Sequence, residues 1–349
     1  MVQQVLGHSR SKFACQSPEH SLDQGYQEDY MVESRLINDV YKKIQFADVA
    51  VTFTADEFQG IYRGKKYHDP DFNAVLARAQ DVGCSKILLT SMTLQGVHKN
   101  LRVCREHPNI CFMTIGVHPY HASEIYREAD YLTKLRDFGR DLLATNENCL
   151  AAFGEIGLDY DNLARSDKES QQRAFRDQLE IAVEFQLPLF LHVRAACEDF
   201  ISIVSPYLKR LRRSGLVHSF AGTKEEMLQL VQMGFDISVN GISFQTDELL
   251  EMVRSIPLSH LQLETDAPWC EIGSKCPAMQ YIADATPLPP SRKHGKFIEG
   301  QMVKGRNESC TIERVARVVA GIKGISLEDI ADIAWTNSTR MFGLGINVD

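Results

Sequence analysis

The chain has 349 residues and a mass of 39.4 kDa, with 44% hydrophobic and 24% charged residues. This composition is typical of a globular protein and excludes a disordered or fibrous chain; no apolar run approaches the roughly 20 residues of a membrane-spanning helix. The 38 basic and 46 acidic residues give a net charge of −8, which argues against an extended, non-specific nucleic-acid binder. An enzyme that holds a few phosphates through a metal ion is still compatible with this charge.

The cysteine pattern indicates the redox environment of the protein. Nine cysteines are scattered along the chain without a Cys-x-x-Cys pair. An odd, unpaired set of this kind predicts neither a disulfide framework nor a zinc ribbon. A reducing compartment fits best, and we expect the protein in the cytoplasm, the nucleus or both.

The chain divides into a short extension and one large domain. Residues 1–45 are mostly polar, and we expect this extension to be partly disordered, with a helix near residues 30–44. Residues 46–349 are predicted to form the folded domain. The sequence does not define an oligomeric state, and a monomer is compatible with it.

Short apolar runs rich in β-branched residues recur along the domain, and each ends in a polar or glycine-containing turn. Such runs are typical of the buried strands of a parallel sheet. Eight strands are predicted, at residues 49–53, 86–90, 111–117, 151–158, 189–193, 216–220, 235–239 and 261–264.

Helical patterns separate these strands. An N-cap at Asp69–Pro70 and capping boxes at Ser166–Glu169 and Thr223–Glu226 predict where three helices begin. Because each interval has room for one helix before a parallel return strand, we predict an α/β fold, a (β/α)₈ TIM barrel. The long, proline-containing segment 269–308 is expected to lie over the catalytic end of that barrel.

Four potential metal ligands fall at or near the C-terminal ends of four different predicted strands: Glu155, His192, His218 and Asp266. In a barrel these strand ends meet at one mouth, where catalytic residues are found. A single strand histidine is more often a hydrogen-bonded core residue, and a strand-end aspartate often caps a helix. Four such residues together favour a site for divalent metal.

Several short motifs accompany these four residues and are far more specific together than alone. They are Gly60–Gly64, Gly116–Pro119, Gly154–Asp159, Pro188–Arg194, Val217–Phe220, Glu264–Trp269 and Arg306–Glu308. From about Phe46 to Gly343 the chain resembles the TatD-type metal-dependent deoxyribonucleases, most closely their eukaryotic group.

This resemblance implies a barrel of the metal-dependent, amidohydrolase-like hydrolase type that cleaves DNA phosphodiesters, often from a 3′ end, with two divalent ions. By the same matching, Glu155 is implied to bridge both ions. His192 and His218 are implied to bind one ion, and Asp266 the other.

The first strand departs from the bacterial members of the family, which carry His-x-His at its end. The matching positions here read Thr52-Phe53-Thr54. A site left with carboxylate oxygens and water suits Mg²⁺ or Mn²⁺ better than Zn²⁺, and we expect it to bind weakly. Zn²⁺ is compatible with the Glu155, His192 and His218 site.

In the mechanism that we expect, metal ions polarise a phosphate oxygen and activate a water. Asp266, besides binding metal, accepts the proton of that water, and His118 donates a hydrogen bond to the scissile phosphate or the leaving oxygen. The alternative role for His118 is to orient Tyr120 or a loop.

Three cationic residues are candidates for holding the phosphates of the DNA substrate. Arg63 and Lys65 follow the first strand, where a solvated loop is the alternative, and Arg194 directly follows a ligand strand.

Two other functions compete with DNA hydrolysis. The same barrel can hydrolyse a small amide or ester, because fold does not fix substrate, and the acidic net charge favours this alternative. A barrel without activity that serves as a binding protein is the second alternative. The presence of all four ligand types argues against it.

Overall fold

The computed structural model describes residues 44–145 and 147–345, which belong to a compact unit that spans Ile44–Asp349. Eight parallel strands form one sheet in chain order. They are Phe46–Val51 (β1), Cys84–Leu89 (β2), Cys111–Ile115 (β3), Leu150–Asp159 (β4), Leu189–Arg194 (β5), Gly215–Val217 (β6), Phe235–Val239 (β7) and Leu261–Leu263 (β8).

The sheet closes on itself between its first and last strands. The backbone N–H of Thr52 donates to the carbonyl of Ala267 at 2.8 Å, and Val51 bridges to Ala267 in parallel register. The prediction of a (β/α)₈ barrel is therefore confirmed. All eight predicted strands are present, with bounds that differ by a few residues.

Helices follow the strands and cover the outside of the barrel. In the described residues they are Phe72–Asp81 (α1), Leu94–Glu106 (α2), Ala122–Ile125 (α3), Tyr131–Ala144 (α4), Lys168–Phe185 (α5), Cys197–Leu208 (α6), Lys224–Gln232 (α7), Asp247–Ser255 (α8), Ile312–Lys323 (α9) and Leu327–Phe342 (α10). None of the helices within residues 44–145 and 147–345 is long and apolar enough to cross a membrane.

Apolar packing dominates one end of the barrel interior and polar side chains dominate the other. Phe112, Phe190 and Leu216 pack with Phe342, the last residue of α10, and with Leu344. Near the C-terminal ends of the strands the buried side chains are polar and hydrogen-bonded to one another, as in Ser238, whose hydroxyl donates to Glu264 at 2.6 Å. Most of the buried polar side chains thus lie at the mouth, and a smaller hydrogen-bonded set, Asp236, Gln262 and Ser338, lies near the apolar end.

One of the three predicted helix starts is confirmed. Thr223 and Glu226 form a reciprocal capping box at the start of α7. The prediction at Ser166–Glu169 is wrong by one residue, because the hydroxyl of Ser166 binds Ser123 instead and Asp167 caps α5.

The predicted start at Asp69–Pro70 is also wrong, since α1 begins at Phe72. Asp69 is engaged in an ion pair with Lys66 at 2.8 Å.

The segment after β8 is more ordered than its proline content suggests. Ser291–Arg292 and Met302–Val303 form a short parallel ribbon, and turns of 3₁₀ helix lie at Pro277–Tyr281 and His294–Lys296. Its His294 ring stacks on Tyr62, which belongs to a hairpin of Ile61–Tyr62 and Lys65–Lys66 after β1. The segment therefore packs against the loop of the adjacent barrel strand.

A buried ion network anchors this segment to α1. Arg306 makes a two-pronged pair with Asp71, with both N–O distances 2.7 Å, and also donates to Glu308 at 2.8 Å. Arg78 of α1 donates to the other oxygen of Glu308 at 2.7 Å. Two cations and two anions compensate each other in a region from which water is excluded.

The predicted extension, including the helix near residues 30–44, lies outside the described residues apart from Ile44 and Gln45.

We predict that Arg306→Ala lowers the free energy of unfolding by about 3–5 kcal/mol, because it leaves buried carboxylates without a partner. Urea titration followed by circular dichroism measures this change. Lys304→Ala, which removes an exposed charge two residues earlier, is the matched control and should stay within about 0.5 kcal/mol of wild type. Equal effects of the two substitutions would show that the network does not stabilise the fold.

Candidate active site

A local distortion of β4 directs Glu155 into the barrel mouth. The register between β4 and β5 shifts by one residue at Glu155, since Gly154 pairs with Phe190 and Ile156 with Leu191. A Cβ on Gly154 would lie 2.1 Å from the carbonyl oxygen of Phe190, so only glycine fits there. Such bulges re-aim one side chain and are frequent next to active sites.

The Glu155 carboxylate is the centre of the site. Its Oε1 atom lies 2.6 Å from Nε2 of His218, 3.1 Å from Nδ1 of His192 and 3.1 Å from Nε2 of His118. Glu155 is only 4% exposed. Three imidazoles from three other strands or strand ends therefore surround one buried carboxylate oxygen.

The charges of this cluster depend on one another. Burial would raise the pKa of Glu155, but His218 and His118 hold the pKa well below its usual range. Burial would lower the pKa of His218, but Glu155 and Glu264 raise the pKa well above its ordinary value. For His118 burial prevails and lowers the pKa. Glu155 is therefore ionised and His118 neutral near pH 7.

Further carboxylates lie behind two of the imidazoles. Asp159 Oδ2 accepts a hydrogen bond from Nε2 of His192 at 3.0 Å, and Glu264 Oε1 lies 3.5 Å from Nδ1 of His218. Each ring thus presents one nitrogen to Glu155 and the other to a carboxylate. This arrangement fixes the ring orientation of metal-binding histidines.

His118 is oriented differently from the other two histidines. Its Nδ1 accepts the backbone N–H of Tyr120 at 3.0 Å, so the proton of the neutral ring is on Nε2, which faces Glu155. Both predicted roles are compatible with this geometry, because the contact with Tyr120 holds the ring while Nε2–H points into the site. A protonated nitrogen donates hydrogen bonds and does not bind metal.

Asp266 is held in an unusual backbone conformation. Its φ angle is +53°, in the left-handed region that few non-glycine residues adopt. The preceding residue, Thr265, donates its N–H and its hydroxyl to the buried Asp48 at 2.8 and 2.6 Å, and its carbonyl accepts from Asn307 at 2.9 Å. These bonds fix the backbone on the N-terminal side of Asp266.

The carboxyl of Asp266 faces the cavity beside Ser219 and Cys270. The Cys270 thiol donates to Oδ2 at 3.1 Å, and the Ser219 hydroxyl lies 3.5 Å from the same atom. Burial raises the pKa of Asp266 to about 7, against the opposing effect of His218.

The first strand contributes a hydroxyl to the cavity, as its sequence predicts. Thr52 lines the cavity, and its Oγ1 is 2.6 Å from Oγ1 of Thr90. Thr54 is not among the lining residues.

These groups line one cavity of about 540 Å³ at the C-terminal ends of the strands. The cavity brings together six of the eight predicted site residues, namely His118, Glu155, His192, Arg194, His218 and Asp266. Arg194 pairs with Asp161 at 3.0 Å. Arg63 and Lys65 lie on the exposed hairpin after β1 and do not line the cavity, so their role in phosphate binding stays a prediction.

Several residues of the site have roles that were not predicted from the sequence. Asp159 lies four residues after Glu155 in the same strand, and Glu264 lies two residues before Asp266. A second carboxylate in each buried motif is the signal that identifies them. Cys270 lines the cavity and contacts Asp266 through its thiol.

The donor set fits a divalent metal ion. Ligand atoms of His118, Glu155 and His192 lie within 4.8 Å of one another, and Nε2 of His218 lies 3.4 Å from Nδ1 of His192. One carboxylate oxygen and two imidazole nitrogens, each nitrogen backed by a carboxylate, are ligands that such ions accept. His192 and His218 can release the proton on the nitrogen that faces Glu155 and remain neutral imidazoles, because the other nitrogen of each ring faces a carboxylate. The only proton of His118 is on Nε2, so His192 and His218 are the ligand pair that fits best.

Comparison with known proteins assigns the chain to a family. The model of the family described as TatD related DNase matches residues 48–343. The chain therefore belongs to this family of metal-dependent hydrolases, as the motifs predict.

Relatives and a solved structure agree with this assignment. A Schizosaccharomyces pombe protein named Deoxyribonuclease Tat-D is 39% identical, with 86% of this chain and 96% of that protein aligned. An Erwinia tasmaniensis protein named 3'-5' ssDNA/RNA exonuclease TatD is 34% identical over 85% of this chain and 99% of its own length. The crystal structure of a hydrolase TatD family protein from Entamoeba histolytica superimposes with a TM-score of 0.79 at 34% identity, covering 85% and 98% of the two chains.

Asp159→Asn should weaken Mn²⁺ binding about 10- to 100-fold, because His192 loses the carboxylate that orients its ring. Isothermal titration calorimetry with Mn²⁺ measures the affinity directly. Asp161→Asn is the matched control, since Asp161 is exposed and contacts Arg194 rather than a histidine of the cluster. Unchanged affinity in Asp159→Asn would show that Asp159 does not support metal binding through His192.

Proposed function

We propose that this protein is a metal-dependent deoxyribonuclease that removes nucleotides from the 3′ end of single strands. The observation that carries the proposal is the buried Glu155 carboxylate with imidazoles of His192 and His218 turned toward it. Membership of the TatD family and relatives named as a deoxyribonuclease and a 3'-5' exonuclease support the substrate and the polarity.

The family implies dependence on divalent metal, and we propose two ions. Glu155, His192 and His218 would hold one ion, and Glu155 and Asp266 would hold the other, with Mg²⁺ or Mn²⁺ preferred where oxygen ligands dominate. Bound there, the ions supply Lewis-acid polarisation of a phosphate oxygen and a water of lowered pKa. Zn²⁺ suits the histidine-containing site.

Protein side chains perform the proton transfers in this proposal. Asp266, whose carboxyl faces the cavity, accepts the proton of the attacking water. His118 donates from Nε2 to the scissile phosphate or to the leaving oxygen, and Tyr120 keeps the ring in the required tautomer. Glu155 stays ionised and binds metal.

Arg194 is the cation that we propose for phosphate binding inside the cavity. Its guanidinium lies at the rim and pairs with the exposed Asp161. A bound phosphate would replace Asp161 as the anionic partner of Arg194. The cytoplasm, the nucleus or both are the proposed location.

The two alternatives have less support. An amide or ester substrate is compatible with the fold, but the relatives aligned over most of the chain are named as nucleases. An inactive binding barrel would not need Asp159 and Glu264 behind the histidines.

Asp266→Asn should abolish Mg²⁺-dependent release of label from 3′-labelled single-stranded DNA, by about 100-fold or more, because the amide neither accepts the proton nor binds metal as a carboxylate does. Denaturing gel electrophoresis of 3′- and 5′-labelled strands gives the rate and the polarity. Asp284→Asn, an exposed position in the segment after β8, is the matched control.

Loss of the 5′ label first would contradict the proposed polarity. No cleavage by the wild-type protein with Mg²⁺, Mn²⁺ or Zn²⁺ would contradict the nuclease proposal and direct attention to amides and esters.

His118→Ala should lower kcat about 100- to 10,000-fold with a much smaller change in Tm, since the imidazole donates to a group that gains charge during the reaction. Steady-state kinetics and thermal melting of the same preparations test this. The exposed His98 on α2 supplies the control substitution His98→Ala. A kcat equal to that of wild type would exclude His118 from the chemistry.

A further inference from the structure

Two basic segments meet outside the catalytic cavity. The hairpin Ile61–Lys66 follows β1, and the segment 291–304 follows β8. Because β1 and β8 are neighbours in the closed barrel, both segments extend from the same end as the catalytic mouth.

Aromatic contacts hold the two segments together. The His294 ring stacks on Tyr62 with centroids 4.4 Å apart and an angle of 12°, and contacts Tyr67 edge-on at 4.5 Å. Phe297 stacks on His68 at 4.0 Å. The relative position of the two segments is thus defined by ring packing and does not depend on their charges.

Five exposed cations surround these contacts, and we call them the basic surface: Arg63, Lys65, Arg292, Lys293 and Lys296. In the described part of the chain none of the five is in an ion pair. Lys66 is excluded because it pairs with Asp69. Within residues 61–69 and 291–304, Glu299 is the one acidic residue besides Asp69. In a chain of net charge −8 this is a local reversal of sign.

We propose that the basic surface binds the backbone of single-stranded nucleic acid outside the catalytic cavity. The inference rests on the proposed function, because it assigns this surface to the part of a polynucleotide substrate that is not being cleaved. Arg63 and Lys65 would then contact phosphates remote from the scissile bond, which is compatible with their absence from the cavity lining.

The apolar groups of the surface favour a single strand over an acidic peptide. Tyr67 is 41% exposed, with Lys65 Nζ 5.3 Å from its ring centroid, and Ile298 is 46% exposed. Unpaired bases stack on exposed aromatic rings while neighbouring cations contact their phosphates. A peptide that offers only carboxylates would pair with the cations of the basic surface but would not cover the Tyr67 ring.

The test compares two full-length double variants that lose the same charge. Lys293→Ala with Lys296→Ala removes two cations from the basic surface. Lys209→Ala with Arg212→Ala removes two exposed cations between α6 and β6, at the opposite end of the barrel. Each is made with and without Asp266→Asn, so that binding is measured on uncleaved strands with Mg²⁺ present.

Fluorescence anisotropy with single-stranded DNA of about 20 nucleotides should show binding weakened about 10-fold for the Lys293 and Lys296 variant. The slope of log affinity against log salt should become shallower by about 1.4. The Lys209 and Arg212 variant should match its parent. A dinucleotide, which leaves no chain to extend over the basic surface, should be cleaved at the wild-type rate by both.

Equal affinities and equal salt slopes for the two double variants would overturn the inference. So would polyglutamate that competes as well as DNA of the same charge, because the surface would then select charge alone. Failure of the nuclease proposal appears separately, as absence of cleavage by the wild-type protein, whether or not the two variants differ in binding.

Discussion

The structure of the site depends on one buried negative charge. Glu155 is almost entirely removed from solvent, and an ionised carboxylate in such a place is costly unless charges and hydrogen bonds compensate it. Three imidazoles meet that requirement, and carboxylates behind two of them compensate the positive charge in turn. The bulge in β4 and the close approach of Gly154 to β5 place the carboxylate where these rings converge.

The closure of the barrel links this site to the segment after β8. Asp48 of β1 binds Thr265, which precedes Asp266, and Asn307 binds the carbonyl of the same threonine. The residue after Asn307, Glu308, belongs to the buried ion network with Arg306 and Arg78. The network, the backbone of Asp266 and the basic surface are therefore parts of one continuous structure around β8 and β1.

The architecture and the central residues of the site could be predicted from the sequence. The eight strands are apolar runs with clear ends, and a histidine or a carboxylate within such a run is conspicuous at Glu155, His192 and His218. Residue spacing does not show hydrogen-bond direction, however. Which nitrogen of His118 carries the proton follows from its contact with the Tyr120 backbone, which only the folded chain defines.

Other features depend on contacts that are distant in the sequence. The helix predicted at Asp69 starts later, and Asp69 instead pairs with Lys66. Asp71, which precedes α1, is bound by Arg306, 235 residues away. The same reason separates Arg63 and Lys65 from the cavity, since their hairpin packs against His294 of the distant segment.

The most direct test of the account is anomalous X-ray diffraction from crystals of the full chain soaked in Mn²⁺. We predict an anomalous peak bonded to Glu155, to Nδ1 of His192 and to Nε2 of His218, with Nε2 of His118 outside the bonded set. A peak bonded to His118 in place of His218, or no peak beside Glu155 in crystals that bind Mn²⁺ elsewhere, would contradict it.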